Sequence, residues 1–334
     1  MIRVAVDAMG GDRGPDEIVA GALAAITDNV KPILVGPKEL DTEGLELIEA
    51  PDVIAMDEKP TEAVRSKPNS SLVTACRAVA ERRADAVVSA GNTGAMLAAC
   101  LVELRRIQGV RRPAIAVTIP ARQGPSVLLD AGANADARPE DLVQFAHMGV
   151  VFAEQILGVA RPRVRLLSIG EEREKGNHLT LQAHELLAAS DLPFAGNTEG
   201  RDLLTAGGEV VVTDGFTGNV ALKLLEGTIT ALLGALREEI TATALGKLGG
   251  LLIRPGARKL RRRLDPDAYG GAYLLGLRGL AVIAHGNSSR RAITNAIRLA
   301  ARGVENDVVG RLTENLGGSV LASGPSATPT PNVR

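Results

Sequence analysis

Glu209 to Gly218 read EVVVTDGFTG. Three consecutive valines are β-branched residues that favour extended backbone, and an apolar run without alternation is the mark of a strand covered on both faces. The run then stops at Asp-Gly and reopens through Thr-Gly into an alanine- and leucine-rich stretch, so a strand passes through a tight turn into a helix. The same unit recurs in IRVAVDA, PILVG, DAVVSA, AIAVTIP, SVLLDAG, VRLLSIG and GLAVIAHG, with amphipathic stretches between. That alternation predicts a three-layer α/β/α fold around a mostly parallel sheet. Most of the runs end in Gly with Asp, Ser, Thr or Asn nearby, so the polar groups are expected at the carboxyl edge of the sheet, where open α/β sheets bind ligands.

The pattern breaks between about 224 and 264, where LLEGTITALLGALREEITATALGKLGGLLIRPGARKLRRRL reads as consecutive helices, a helical excursion from the sheet. Residues 1–322 are expected to form one catalytic domain. The last twelve, SGPSATPTPNVR at 323–334, have the composition of a disordered tail.

Composition removes several function classes. Lysine and arginine total 38 against 39 acids, a net charge of −1, and aromatics are 2% with no Trp. A nucleic-acid partner is therefore not expected, having neither a basic field nor stacking platforms. The opening MIRVAVDAMGG reads as a strand rather than a signal peptide, and the longest charge-free run, 86–102, is broken by Ser89, Gly91, Asn92, Thr93 and Gly94. A cytoplasmic protein without a spanning helix is expected. Cys76 and Cys100 lie in alanine-rich helical patterns that suit reduced core thiols.

Two strand-to-helix corners share the spelling [S/T]-x-G-x-T-G: SAGNTG, holding Gly91, Asn92, Thr93 and Gly94, and TDGFTG, holding Asp214, Thr217 and Gly218. GNTEG, with Asn197, and HGNSS, with His285, repeat the theme. Glycine there allows a tight turn that exposes the first N–H groups of the helix, whose dipole favours an anion, so four such corners suggest a shared phosphate pocket. Ser, Thr and Asn at the same places also serve as simple helix caps, and Gly as a plain turn residue. No dinucleotide or P-loop spacing, no C-x-x-C and no G-x-S-x-G occurs, and His147, His178, His184 and His285 lack the i, i+4 pairing of a helical zinc site. Neither metal nor cofactor is expected.

Taken in order, VDAMGGDRGP, SAGNTGAMLA, LLDAGANAD, GEEREKGN, GNTEGRD, VVTDGFTGNVALK and HGNSSRRAI resemble the bacterial phosphate acyltransferases of phospholipid synthesis, over about residues 2 to 320. The resemblance implies a fold of the isocitrate-dehydrogenase-like and phosphotransacetylase group. It implies transfer of a long-chain acyl group from acyl-(acyl-carrier-protein) to inorganic phosphate, by a homodimer at the membrane periphery that feeds a glycerol-3-phosphate acyltransferase. It also implies that Lys175 in KGN and Asn219 in FTGN are catalytic, with Asn177 beside the phosphate. Glu171, Glu172 and Glu174 are expected to hold the loop and its lysine, and Arg65 and Lys67 form a second candidate cationic contact or a solvated loop. Where this chain has Tyr273, the family usually has Pro, a change expected to touch only the groove wall.

The chemistry fits the missing triad: phosphate is already anionic and a thiolate leaves readily, so positioning and charge stabilisation are what the enzyme must supply. A short-chain phosphotransacetylase using a coenzyme A thioester is the alternative enzyme, and a non-catalytic phosphate- or nucleotide-sensing module the alternative class. The apolar stretch 244–253, followed by Arg254, Arg258, Lys259, Arg261, Arg262 and Arg263, is expected to meet acyl carrier protein or an anionic membrane, or else to bury its leucines in a dimer interface.

Overall fold

The computed structural model describes residues 1–205, 207–264 and 270–319, with side-chain burial given to residue 316. The tail expected at 323–334 lies outside these residues. Eleven strands form one sheet: β1 (Ile2–Asp7), β2 (Val30–Gly36), β3 (Glu46–Glu49), β4 (Ala86–Ser89), β5 (Ala114–Ile119), β6 (Ser126–Leu129), β7 (Arg163–Leu167), β8 (Phe194–Thr198), β9 (Glu209–Val212), β10 (Ala272–Leu275) and β11 (Leu280–Ile283). Their order is β3-β2-β1-β4-β11-β10-β5-β6-β9-β7-β8. Every strand named from the sequence is present.

Alternation builds the two faces. Val4 and Val6 of β1 face one core cluster with α1 (Gly14–Leu23), α5 (Pro139–Gln155), α6 (His178–Ala188), α9 (Arg290–Glu305) and α10 (Val308–Ser319). Ala5 faces the other, with α2 (Pro60–Ser66), α3 (Ser71–Ala80), α4 (Thr93–Glu103) and the start of α7 (Gly215–Thr241). Two helical layers around one sheet give the expected α/β/α sandwich. Cys76 of α3 and Cys100 of α4 are fully buried as free thiols, with sulfurs 3.6 Å apart. The hydrogen bond with Cys100, and after it burial, push the Cys76 thiol well above its ordinary pKa, as suits an inert core thiol.

The strand directions correct one expectation. β3, β2, β1, β4 and β11 are mutually parallel, and so are β6, β9, β7 and β8. Between the blocks, β10 is antiparallel to β11 and β5, and β5 to β6. Three reversals leave the two blocks running in opposite directions. The corners after β4 and β11 therefore emerge at one edge of the sheet, and those after β6, β7, β8 and β9 at the other. A single shared carboxyl edge does not exist.

α7 spans this division. Its 27 residues extend about 40 Å at the helical rise, and it packs on β6 and on α8 (Ala244–Leu264). By length and mean hydropathy α7 is apolar enough to cross a membrane, and it buries only Gly215, Gly218 and Leu222 of its first turns. The helical excursion is thus observed, beginning at Gly215 rather than near 224. α8 has no buried residue, and it exposes Leu245, Leu248, Leu251, Leu252 and Ile253.

Tyr273 corrects a second expectation. It is not in a groove wall: its neighbour Ala272 faces the cavity described below, while the ring is 1% exposed in the opposite core. There it meets Phe152 edge-to-face at 5.2 Å, and its hydroxyl donates to the Leu299 carbonyl. Burial raises its pKa. Tyr273→Phe removes one buried hydrogen bond and should cost about 1 kcal/mol, seen as a small fall in Tm with unchanged turnover. A turnover loss at unchanged Tm would place Tyr273 at the site after all.

Candidate active site

The corner after β9 is built from its capping residue outward. Asp214 accepts from the Thr217 N–H and from the Thr217 hydroxyl, both at 2.8 Å, and so caps α7. Thr217 and Gly218 thereby fall in the first turn and present Asn219. Gly218 permits that approach, because a Cβ there would lie 1.9 Å from the Asp130 carbonyl oxygen.

Asp130 follows β6 and is the organising group of this edge. It is fully buried, and its Oδ1 accepts from the N–H groups of Ile115, Gly132 and Ala133 at 2.9–3.1 Å. Its Oδ2 accepts from Asn134 N and Nδ2 at 2.7 and 2.8 Å. Five donors converge on one carboxylate, which pins the 130–134 loop against the start of α7. Asp130 belongs to the LLDAGANAD motif, yet its role was not read there, since an Asp after a strand looks the same as any turn residue.

At the corner after β4, Asn92 caps α4 by accepting from Ala95 N at 3.0 Å and donates to the carbonyls of Met56 and Glu58. Gly91 donates to the Ser89 hydroxyl, which donates in turn to buried Asp7 at 2.7 Å. Burial raises the Asp7 pKa, against the opposing effect of these hydrogen bonds. Asn177 and Ser289 cap α6 and α9. Capping is therefore what the side chains of Asn92, Asn177 and Asp214 do. Gly94 is a packing glycine: a Cβ would stand 2.6 Å from Pro60 Cγ. Gly94→Ala should separate α2 from α4 at a cost of about 1–3 kcal/mol, measurable by urea unfolding; a neutral result would mean that α2 yields freely.

The two corners meet across a cavity of about 360 Å³. Gly91, Thr93 and Gly94 contribute from the corner after β4, Asn219 from that after β9, Gly132 from the loop after β6, and His285 and Gly286 from the turn after β11. Between these polar groups the lining is aliphatic: Leu97 of α4, Ile115, Val117 and Ile119 of β5, Leu222 and Leu225 of α7. Two turns along α7 from Asn219, Glu226 accepts from Lys223 at 2.8 Å and lies 3.5 Å from His285 Nε2. Lys223 and Glu226 were not anticipated. They stand at i+4 and i+7 from Asn219, which the helical period puts on its face of α7.

Lys175 and Asn197 sit on the Asn219 edge but outside this lining. The 168–175 loop is held by backbone groups: Lys175 N donates to Glu172 O at 3.1 Å, and Ser168 Oγ to Lys175 O at 2.9 Å. Asn197 Nδ2 donates to the Glu172 carbonyl at 2.8 Å, while its Oδ1 meets His184 Nδ1 at 2.9 Å. Asn197 is 2% exposed, so it anchors the loop from beneath. Of the three glutamates, only Glu172 takes part, through its main chain. Lys175 itself is exposed, and its ammonium group has no partner among the described residues. Lys67 is bound to Glu58 at 2.6 Å and to the Val53 carbonyl, which makes it a structural cation. Arg258, Lys259, Arg261, Arg262 and Arg263 lie on exposed α8 and are not part of the cavity lining, which α8 reaches only through Leu264. Among the described residues, no group of three or more His, Cys, Asp or Glu could hold a metal ion.

The chain is similar to known proteins at two levels. The fold alone is shared with a branched-chain phosphotransacylase from Enterococcus faecalis, at TM-score 0.61 and 17% identity over 91% of this chain and 99% of that one. A Streptococcus pyogenes phosphotransacetylase gives TM-score 0.58 at 15% identity over 91% and 94%. Sequence similarity goes further. The phosphate acyltransferase of Heliobacterium modesticaldum is 45% identical over 96% of this chain and 99% of its own length, and that of Desulfitobacterium hafniense strain Y51 is 48% identical over 95% and 98%. Since the family described as "Fatty acid synthesis protein" also matches residues 2–311, the chain belongs to the phosphate acyltransferase family of fatty acid synthesis proteins.

Proposed function

We propose that the protein transfers a long-chain acyl group from acyl-(acyl-carrier-protein) to inorganic phosphate, releasing the carrier thiol and giving an acyl-phosphate for phospholipid synthesis. The observation that carries this reading is the cavity between α4 and α7: an aliphatic trough with an unpaired amide, Asn219, at one end. A fatty acyl chain needs such a surface, whereas an acetyl group would leave most of it wet.

In the reaction, a phosphate oxygen attacks the thioester carbonyl carbon, the carbonyl oxygen becomes an oxyanion, and the C–S bond breaks as the carbonyl reforms. Asn219 donates its amide N–H to the carbonyl oxygen or to phosphate, and Lys175 supplies positive charge from the neighbouring loop. The first N–H groups of α4, beside Thr93 and Gly94, add donors without net charge.

Turnover of palmitoyl-(acyl-carrier-protein) with phosphate should give acyl-phosphate and free carrier. Acetyl-coenzyme A as the better substrate would select the short-chain phosphotransacetylase reading, which the fold likeness favours. Binding of phosphate with no turnover of either thioester would select the sensing module.

A homodimer at the membrane periphery, passing its product to a glycerol-3-phosphate acyltransferase, belongs to the same proposal. Its support is the α7–α8 hairpin, whose exposed leucines lie beside a basic cluster. Replacing Arg261, Arg262 and Arg263 with Glu should abolish sedimentation with anionic vesicles and leave solution kinetics normal. A raised requirement for acyl carrier protein without lipid would assign the cluster to carrier docking instead. Survival of both properties would leave it a solvated face.

A further inference from the structure

A second, larger cavity lies at the other pole of the first block of strands. It has a volume of about 730 Å³, within the range of small-molecule sites. It opens where β1 and β11 begin and where α3 and α4 end, and four arginines reach it: Arg3, Arg82, Arg105 and Arg278.

The acidic groups in the lining are already committed. Asp85 accepts from Arg3 N at 2.7 Å and faces the Arg3 guanidinium at 3.6 Å. Glu103 pairs with Arg77 at 3.0 Å, and Asp307 accepts from Gly310 N at the start of α10. Arg278 spends only Nε, on the Arg106 carbonyl. The guanidinium groups of Arg82 and Arg105 have no partner among the described residues. Both residues hold left-handed backbone, φ 59° and 61°, at turns where glycine would be less strained. The chain thus presents two uncommitted guanidinium groups from turns that ask for glycine.

We propose that this cleft binds a small soluble ligand carrying a phosphate or diphosphate group. Guanidinium forks match phosphate oxygens two at a time, and a concave site concentrates the field of several cations on one ligand. The cleft is physically joined to the catalytic cavity. α4 carries Thr93 and Gly94 into the cavity at one end and Glu103 into the cleft at the other, about 16 Å along the helix. β11 likewise runs from Leu280 at the cleft to Ile283 at the cavity. Occupancy would therefore reach the acyl site through two rigid elements.

Pyrophosphate, titrated calorimetrically into the full chain, tests this. The double variant Arg82→Gly/Arg105→Gly suits the observed φ values, so it should fold with an unchanged or raised Tm and keep its turnover. It should bind pyrophosphate at least tenfold more weakly than the parent. Asn219→Ala should leave this binding intact, which separates the cleft from phosphate held at the catalytic cavity. Arg278→Ser, tested alone, should also weaken binding and gives an independent reading if the double variant misfolds. Equal pyrophosphate affinity in the parent and these arginine variants, or no binding by the parent, overturns the proposal. So does a raised KM for acyl-(acyl-carrier-protein) in the double variant without any pyrophosphate effect, which would make the cleft a carrier-docking surface. Loss of sedimentation with phosphatidic acid vesicles, again without a pyrophosphate effect, would assign the cleft to a lipid headgroup.

Discussion

Asn219→Ala should lower turnover by about a hundredfold or more, equivalent to about 2.7 kcal/mol of transition-state stabilisation, at an unchanged Tm. The amide of Asn219 has no hydrogen-bond partner among the described residues, although it lines a largely aliphatic cavity. That side chain is exposed as well as unpaired, so it is available to substrate and its removal breaks nothing in the fold. Lys175→Ala should have a similar effect for the same reason: an exposed ammonium without a partner contributes nothing to folding. Lys175→Arg should rescue only partly, because a planar fork does not reproduce a compact ammonium. Asn219→Asp keeps the shape but sets a carboxylate against phosphate, so it should be no better than Ala. Near-normal turnover by either alanine variant with normal melting would remove that residue from the mechanism.

The fold was legible because its signals are local. Each valine-rich run followed by a glycine corner, EVVVTDG most clearly, carries strand, turn and helix start within ten residues. Strand direction is not local in this way. AIAVTIP and SVLLDAG look like any other run, yet β5, β6 and β10 reverse direction and send half of the corners to the opposite edge. The site followed the same rule. Asn219 could be named from a short motif, but its neighbours Lys223 and Glu226 owe their place to a helix that crosses from one edge to the other. The capping role of Asn92 was visible as the plainer of two readings, since one spelling serves both a cap and an anion site, whereas Asn177 and Asp214 were expected only at the phosphate and prove to be caps. Asn197 was misleading for a different reason. Its polar side chain is spent wholly on His184 and the Glu172 carbonyl, contacts between segments that no single stretch of sequence reveals.

Asp130→Ala should destabilise the protein by about 3 kcal/mol or more, since each buried donor left without an acceptor costs about 1–3 kcal/mol. The side chain satisfies four backbone N–H groups and the Asn134 amide, and the donors of Ile115 and Asn134 are buried with no water to turn to. Losing one carboxylate takes the partner from five donors together, three of them buried, which is why the cost should exceed that of an ordinary core truncation. Asn134→Ala removes only one of these bonds, its amide's to Asp130, together with that amide's bond to the Pro113 carbonyl, and should cost less than half as much. Asp130→Asn falls between the two: Oδ1 still accepts three bonds, but the new NH₂ faces the two Asn134 donors. That variant also tests function, because the Asp130 carbonyl sets how closely Gly218, and hence Asn219, approaches the cavity. The folded fraction of Asp130→Asn should therefore show reduced turnover with substrate still bound, a fall in kcat larger than any rise in KM. Urea unfolding gives the stability order and steady-state kinetics the second effect. If Asp130→Ala unfolds at the parent's urea concentration, the five-donor network does not hold this edge together.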